Sequence, residues 1–324
     1  MSNNNSNKFQ IIYLILVAPI IGEGLSTSTP FIGFLNPLNL ILLVALYGFG
    51  ALIIRELTVR WRGSIHWPTI MILGLVYGII EEGLFLLSML NPNYPSVGQL
   101  GSYGRFWDVN WVWAMHIALF HSIFSISLSI LITELSFPTS FDKKLLGKKA
   151  LGSIILLFVI SGMIWLLYVI TDYKYKPSLE QYIFLLVLAI ILFFFAKNGS
   201  NRIKLRGKSS SSWFVLVLSI IISVTYFLFP YLSIIADLSP IVPFIFQPII
   251  VLLLIYSLSG NLGTTIALRK KSLILWIGLV SFCFVFLLAN FLDFIAFGII
   301  ILVLILNANK SITRNSYFDK KIVN

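Results

Sequence analysis

The segment Gly74-Leu-Val-Tyr-Gly-Ile-Ile-Glu-Glu-Gly-Leu-Phe-Leu-Leu87 places two adjacent carboxylates, Glu81 and Glu82, inside an apolar run that covers residues 69–90. A run of that length is typical of a membrane-spanning helix, which needs ~20 apolar residues. An ionisable side chain at the centre of a bilayer costs about 2.5–3.5 kcal/mol on insertion scales. We therefore expect both glutamates to be paired, neutralised or turned toward a polar cavity.

The composition indicates an integral membrane protein. The chain has 324 residues, of which 58% are hydrophobic and 11% are charged, whereas soluble domains carry ~25% charged residues. The net charge of +11 lies in short loops between apolar runs. It is therefore a topology signal, and we expect no nucleic-acid partner. Cys283 is the single cysteine, so an intramolecular disulfide is excluded.

The apolar runs predict an all-α fold, a polytopic transmembrane helical bundle with about ten spans. The last two spans come from one apolar stretch of about 35 residues, which as a single helix would be ~52 Å long and would exceed the bilayer core of ~30 Å. We therefore divide it at Asn290 and Asp293 into a hairpin. The predicted spans are 9–25, 39–54, 69–90, 111–133, 150–171, 180–196, 213–229, 241–259, 272–289 and 291–307.

Lys and Arg residues alternate between the predicted loops. The loops after spans two, four, six and eight, together with the C-terminal tail, are rich in cations, whereas the 91–110 loop carries Arg105 alone. The positive-inside rule then predicts a multi-pass protein of the cell membrane, surrounded by the lipid bilayer, with both termini in the cytoplasm. The cations of the rich segments are Arg55, Arg60, Arg62, Lys143, Lys144, Lys148, Lys149, Lys197, Arg202, Lys204, Arg206, Lys208, Arg269, Lys270, Lys271, Lys310, Arg314, Lys320 and Lys321.

We interpret residues 1–324 as a single integral membrane domain with two unequal parts. Residues 1–138 carry spans one to four and the buried polar residues, residues 148–308 form an apolar scaffold half with spans five to ten, and residues 309–324 form a cytoplasmic tail. Three further charged groups fall near span ends. We expect Glu23 to be solvated at the interface, and Arg55 with Glu56 to form a local ion pair or to snorkel.

Helical spacing indicates which residues face the glutamates. Gly74, Gly78 and Glu82 lie four residues apart and share a face, on which two small residues allow close approach of another helix. His121, in span four, lies at a depth that matches the glutamates when ~1.5 Å is counted per residue. We therefore predict that His121 meets Glu81 and Glu82 between spans three and four.

A carboxylate pair beside an imidazole is compatible with three kinds of chemistry. It can activate a water for hydrolysis, bind a divalent metal with Glu82 and His121 as candidate ligands, or hold a proton or cation during transport. A fourth interpretation is structural, with hydrogen-bonded carboxyl groups that only fix helix packing. The remaining candidates, for substrate contact or a lid under the long 91–110 loop, are Tyr77, Arg105, Asn110 and His116.

At Glu81-Glu82 the sequence resembles the intramembrane proteases of the CAAX-protease and bacteriocin-processing (Abi) family, whose first motif is a Glu-Glu pair in a transmembrane helix. The resemblance implies that Glu81, Glu82 and His121 would activate a water for peptide-bond cleavage. Leu86 stands where that motif has Arg, and no histidine follows His121. Residues 1–140, with Tyr-Gly-Ile-Ile-Glu-Glu-Gly-Leu and Asn-Pro-Asn-Tyr, also resemble an uncharacterised group of polytopic prokaryotic membrane proteins.

These observations lead to three hypotheses about function. The first is a membrane-embedded, protease-like hydrolase that acts on a membrane-associated or extracellular substrate, with Glu81, Glu82 and His121 as catalytic residues. The second is a transporter or channel in which the same carboxylates bind a proton or a cation. The third is a structural membrane subunit.

Overall fold

The computed structural model describes residues 3–137, 141–203, 208–288 and 290–323. Lys204 and Arg206 of the cation-rich loop, and the predicted boundary at residue 138, lie outside these ranges. Helices form nearly all of the regular structure of the described residues, and a short hairpin pairs β1 (Arg105–Phe106) with β2 (Val109–Asn110) in antiparallel register. The helices are α1 Asn3–Pro19, α2 Phe31–Phe34, α3 Pro37–Arg62, α4 Trp67–Phe85, α5 Trp111–Ser136, α6 Lys148–Asp172, α7 Leu179–Asn198, α8 Ser212–Ile235, α9 Ile241–Leu258, α10 Ile266–Ser281, α11 Cys283–Leu287 and α12 Phe291–Val323.

Eight helices of the described chain, α3 to α9 and α12, are long and apolar enough to cross a membrane. The prediction of a polytopic helical membrane protein is thereby confirmed, while the count of ten spans stays a prediction. The predicted span 9–25 is a helix that begins at Asn3 and ends at Pro19, followed by one wide turn. The predicted span 272–289 is divided between α10 and α11, and the chain leaves helical structure before Phe291, close to the predicted division.

Helix α5 forms the centre of the bundle. In its most apolar window 94% of the residues are buried, compared with 22% in α6 and in α7. Helix α5 contacts α1, α3, α4, α9, α10 and α12. Many apolar side chains of α6 and α7 are exposed. Because these helices are long enough to span a membrane, their exposed side chains are suited to contact with lipid acyl chains.

Four of the helical segments contain wide, π-helical turns. They are Ile20–Gly24 after α1, Val44–Gly48 within α3, Ile79–Phe85 at the end of α4, and His121–Ser127 within α5. In a π turn the backbone hydrogen bond spans five residues, as in the bond from the Leu86 amide to the Glu81 carbonyl at 2.8 Å. Such turns are rare in proteins and occur frequently at functional sites. Here all four contain a residue of the polar centre described below.

Buried polar side chains come together near the C-terminal ends of α3 and α5. We call them the inner ion cluster: Gln10, Arg55, Glu56 and Glu134. All four side chains are buried. Arg55 pairs with Glu134 at 2.8 Å and with Glu56 at 3.0 Å. The expectation that Arg55 snorkels is therefore wrong, because its guanidinium is enclosed, and the expected local pair with Glu56 is extended by Glu134.

The inner ion cluster also fixes the connection between α5 and α6. Glu56 accepts hydrogen bonds from the amides of Leu145 at 2.8 Å and Leu146 at 3.3 Å, and Arg55 donates to the carbonyl of Lys143 at 2.6 Å. These bonds satisfy backbone groups that the loop would otherwise bury unpaired. The inner ion cluster therefore has a structural role, which is to hold this loop against α3.

Candidate functional site

Glu81, Glu82 and His121 come together between α4 and α5, and we call them the Glu–His cluster. The imidazole Nε2 of His121 lies 2.9 Å from Oε2 of Glu81 and 3.2 Å from Oε1 of Glu82. Glu81 is fully buried, whereas Glu82 is 7% exposed. The predicted meeting of the two spans at these residues is therefore present in the structure.

Two glycines of α4 allow this close approach. A Cβ atom on Gly78 would lie 3.0 Å from the Cα of Ala118 and 3.1 Å from the Cβ of His121. On Gly74 it would lie 2.7 Å from the Cα of Ser122. The predicted small-residue face is thus the contact between α4 and α5, and the missing side chains leave room for the imidazole.

Glu82 is oriented by the chain that follows α4. The Ser88 hydroxyl donates to Oε2 of Glu82 and in turn accepts from the indole Nε1 of Trp113 at 3.0 Å. Ser88 reaches this position because Leu87 adopts a left-handed conformation with φ of 59° and ends the helix. That conformation is unfavourable for a residue with a Cβ, by about 1–2 kcal/mol. Strain of this kind is found preferentially at functional sites.

Glu23 and Tyr47 belong to the same polar centre, although the sequence did not lead us to assign them to it. The Tyr47 hydroxyl donates to Oε1 of Glu23 at 2.6 Å, and the Thr29 hydroxyl donates to Oε2 at 2.8 Å. The Tyr47 ring lies 5.9 Å from the ring of His121. The expectation that Glu23 is merely solvated at the interface is wrong, since its carboxylate has two protein donors. The sequence feature that could have indicated this contact is Gly22-Glu23-Gly24, because the absence of a side chain at Gly22 leaves the space that the Tyr47 ring occupies.

A cavity of about 290 Å³ leads to Glu82 from the 91–110 loop, and we call it the acidic cavity. Its walls carry two carboxylates, those of Glu23 and Glu82, and the aromatic rings of Tyr94, Trp165 and Tyr173. Burial, and to a smaller extent the charge of Glu82, raises the pKa of the Tyr94 hydroxyl, so this group is a neutral donor at physiological pH. The other lining residues are Ser28, Thr29, Leu43, Leu46, Leu86, Pro95 and Ser96.

Of the four residues predicted for substrate contact or a lid, the structure brings Tyr77 to the Glu–His cluster. Its ring lies 5.5 Å from that of His121, and its buried hydroxyl has no hydrogen-bond partner among the described residues. Asn110 instead caps α5 by accepting from the Trp113 amide at 3.0 Å. Arg105 donates to the carbonyls of Leu90 at 2.5 Å and Asp108 at 2.7 Å, and so holds the loop.

His116 lies on a different side of α5. Its Nδ1 is 2.9 Å from Oε1 of Gln247, and its ring stacks on Tyr226 at 4.8 Å between ring centres. His116, Asn110 and Arg105 are not among the residues that line the acidic cavity. The second half of the chain nevertheless contributes to that cavity, because Trp165 and Tyr173 belong to α6 and the turn that follows it.

The Glu–His cluster has unused capacity for a ligand. Oε1 of Glu81 and Nδ1 of His121 are buried and have no hydrogen-bond partner within the described chain. One donor atom each from Glu81, Glu82 and His121 fall within 4.8 Å of one another. Buried polar atoms are almost always paired with protein or water, so these atoms are suited to an ordered water or a divalent cation. Two carboxylates and an imidazole are also a donor set found with such cations.

Comparison with known proteins identifies the family. No curated protein and no solved structure matches the chain. The scan against family models gave no match to the CAAX-protease and bacteriocin-processing family, so the resemblance at Glu81-Glu82 is limited to that short motif. Residues 12–314 match the model of an uncharacterised membrane protein family, which agrees with the second resemblance, and the chain belongs to that family.

Proposed function

We propose that the protein is a membrane-embedded hydrolase in which the Glu–His cluster activates a water at the bottom of the acidic cavity. The observation that carries the proposal is the asymmetry of the two carboxylates. Glu81 is sealed and has an unpartnered buried oxygen, whereas Glu82 borders a cavity that water can enter. One carboxylate can thus hold the imidazole while the other meets the reactants.

The chemistry assigns separate roles to the three groups. Glu82 accepts a proton from the water, and the water oxygen bonds to the carbonyl carbon of an amide in the substrate. The C–N bond then breaks, and the leaving nitrogen takes that proton from Glu82, which restores the carboxylate. His121, which Glu81 holds in place, positions Glu82 through its contact at 3.2 Å. General acid–base catalysis of this kind contributes about 10²–10⁴-fold to a rate. The positive-inside pattern predicts that the cavity opens to the outer side, so the substrate would be membrane-associated or extracellular.

The central test uses Glu82→Gln in proteoliposomes. The amide retains the shape of the carboxylate and can still hydrogen-bond to Ser88, so we expect unchanged thermal stability and a loss of at least ~10²-fold in peptide-bond hydrolysis. Peptide mixtures analysed by mass spectrometry before and after incubation provide the readout. Glu180→Gln, an exposed acid at the start of α7, is the control and should hydrolyse at the wild-type rate.

Other outcomes of this experiment exclude the proposal. If wild-type protein shows no hydrolysis and Glu82→Gln abolishes a flux driven by a pH gradient, the protein is a transporter. If Glu82→Gln mainly lowers the unfolding temperature, the cluster is structural. Metal analysis of the purified wild-type protein and of Glu81→Gln tests how the water is activated. If a metal ion activates the water, the wild-type protein contains bound metal and Glu81→Gln loses it. If a carboxylate alone activates the water, neither protein contains bound metal.

A further inference from the structure

The acidic cavity carries more negative charge than the described residues balance. Glu23 and Glu82 line the cavity, and Glu82 shares the imidazole of His121 with a third carboxylate, Glu81. Among the described residues, no Lys or Arg forms an ion pair with any of the three. The residues that line the cavity likewise include no Lys, Arg or His. A buried carboxylate without a counter-charge is costly, so the cavity favours a cationic ligand and disfavours an anion.

Aromatic rings complete a site of this kind. Tyr94 and Tyr173 lie edge to face, with ring centres 5.4 Å apart, and Trp165 lines the same cavity. The face of an aromatic ring attracts an ammonium group within ~6 Å, and tryptophan does so most strongly. The combination of carboxylates and aromatic rings in its lining distinguishes this cavity from the apolar ones of the molecule, such as the one lined by Ile53, Leu73 and Val159.

The size and hydrogen bonding of the cavity restrict the ligand further. The cavity volume of about 290 Å³ is well above the ~10–15 Å³ that one water requires, so the cavity has room for a small organic group. Nε1 of Trp165 is buried and has no hydrogen-bond partner within the described ranges. It can donate to an acceptor on the same ligand, such as a carbonyl.

We propose that the acidic cavity binds an ammonium group of the substrate, with Glu23 as its carboxylate partner and Trp165, Tyr94 and Tyr173 as its aromatic wall. Thr29 and Tyr47 fix the Glu23 carboxylate by their hydrogen bonds and thereby orient it before the ligand arrives. The assignment of this cavity as a substrate subsite rests on the proposed hydrolase. Binding of the ammonium group does not, and it can be measured without turnover.

The test is calorimetric titration of the full-length protein in nanodiscs, with empty nanodiscs subtracted. The probes are n-butylammonium and glycine N-methylamide, and their neutral counterparts are n-butanol and N-methylpropionamide. We expect each amine to bind at least ~10-fold more tightly than its counterpart, because a hydrogen bond to a charged group is lost in the latter. If glycine N-methylamide binds more tightly than n-butylammonium, the site also recognises the carbonyl of the ligand, through Nε1 of Trp165. If the two amines bind equally, the site recognises the ammonium group alone.

Variants link the binding to the named residues. Glu23→Gln should weaken amine binding at least ~10-fold. Trp165→Leu removes one ring of the aromatic wall and leaves both carboxylates in place, so it should weaken amine binding severalfold. Glu180→Gln is the acidic control and should bind as wild type. Equal affinity for amines and their neutral counterparts overturns the proposal, as does wild-type affinity in both Glu23→Gln and Trp165→Leu.

Failure of this proposal can be distinguished from failure of the hydrolase. Glu81 does not line the cavity, so Glu81→Gln should retain amine binding while losing hydrolysis. Hydrolysis that persists in Glu81→Gln contradicts the catalytic role proposed for the Glu–His cluster and leaves the ammonium site unaffected. Amine binding that Glu23→Gln and Trp165→Leu leave unchanged contradicts the ammonium site alone.

Discussion

At the scale of single residues, the two glycines of α4 show how the absence of a side chain positions a polar group. Gly78 faces Ala118 and the Cβ of His121, and Gly74 faces the backbone of Ser122. Because protein interiors are closely packed, one added methyl group at such a place must move its neighbours. The position of the imidazole relative to Glu81 and Glu82 therefore depends on residues that carry no chemistry themselves.

We predict that Gly78→Ala destabilises the protein by about 1–3 kcal/mol, the usual cost of overpacking. The same change should reduce whatever activity depends on His121, because the new methyl group displaces the imidazole. Thermal unfolding in detergent and the hydrolysis assay measure the two effects. Gly152→Ala is the matched control, since no described atom lies within 4 Å of the added Cβ. It should be neutral or stabilise α6 by up to ~1 kcal/mol.

Glu23 shows what single-residue reasoning missed. In the sequence Glu23 ends the first predicted span next to turn-forming residues, and from there a solvated carboxylate was the simplest interpretation. Its partner Tyr47 lies 24 residues further along the chain, on another helix. Contacts of this kind depend on how two helices are rotated about their axes. The sequence does not specify that rotation.

At the scale of helices, the meeting of α4 and α5 was predictable and the detailed geometry was not. Equal depths of Glu82 and His121 and the spacing of Gly74 and Gly78 led to the correct pair of spans. The π turns at Ile79–Phe85 and His121–Ser127 then rotate the residues that follow them relative to a regular α-helix. The backbone of Ser122, in the second of these turns, packs against Gly74. Neither hydrophobic spacing nor residue type identifies a π turn in the sequence.

The inner ion cluster gives a prediction at this scale, because it joins α3, α5 and the loop before α6. Arg55 and Arg60 balance Glu56 and Glu134 in charge. We expect Glu134→Leu to destabilise the protein by about 3–5 kcal/mol, since it removes one partner of a buried ion pair and leaves two arginines to share the carboxylate of Glu56. Thermal unfolding in detergent measures the loss. Glu180→Leu removes an exposed acid and should change stability by no more than ~0.5 kcal/mol, and an equal loss in both variants would contradict the argument.

At the scale of the whole molecule, composition and helix periodicity were sufficient to predict a polytopic helical membrane protein. The long apolar helices and the family match agree with that prediction. The division into a site-bearing first half and an apolar second half describes the acidic cavity incompletely, because Trp165 and Tyr173 come from the second half. Neither residue carried a signal in the sequence, since aromatic residues are common throughout membrane proteins.

The predicted topology can be tested directly by cysteine labelling in a Cys283→Ser background. Gln99 in the 91–110 loop and Lys144 in the loop after α5 are both exposed. A membrane-impermeant maleimide added to intact cells should label Gln99→Cys and should reach Lys144→Cys only after the cells are opened. Labelling of Lys144→Cys from outside would reverse the orientation and would place the acidic cavity on the cytoplasmic side.

Helix α6 contributes both to the lining of the acidic cavity and to the exposed apolar surface of the protein. One side of this helix supplies Trp165 to the cavity, while most of its apolar window, of which 22% is buried, is left for acyl chains to cover. A helix accommodates a change in bilayer thickness by tilting, at a cost of fractions of a kcal/mol per Å of mismatch. Tilting of α6 would move the Trp165 ring relative to Glu23. We therefore expect the acyl-chain length of the surrounding lipids to affect binding at the proposed ammonium site.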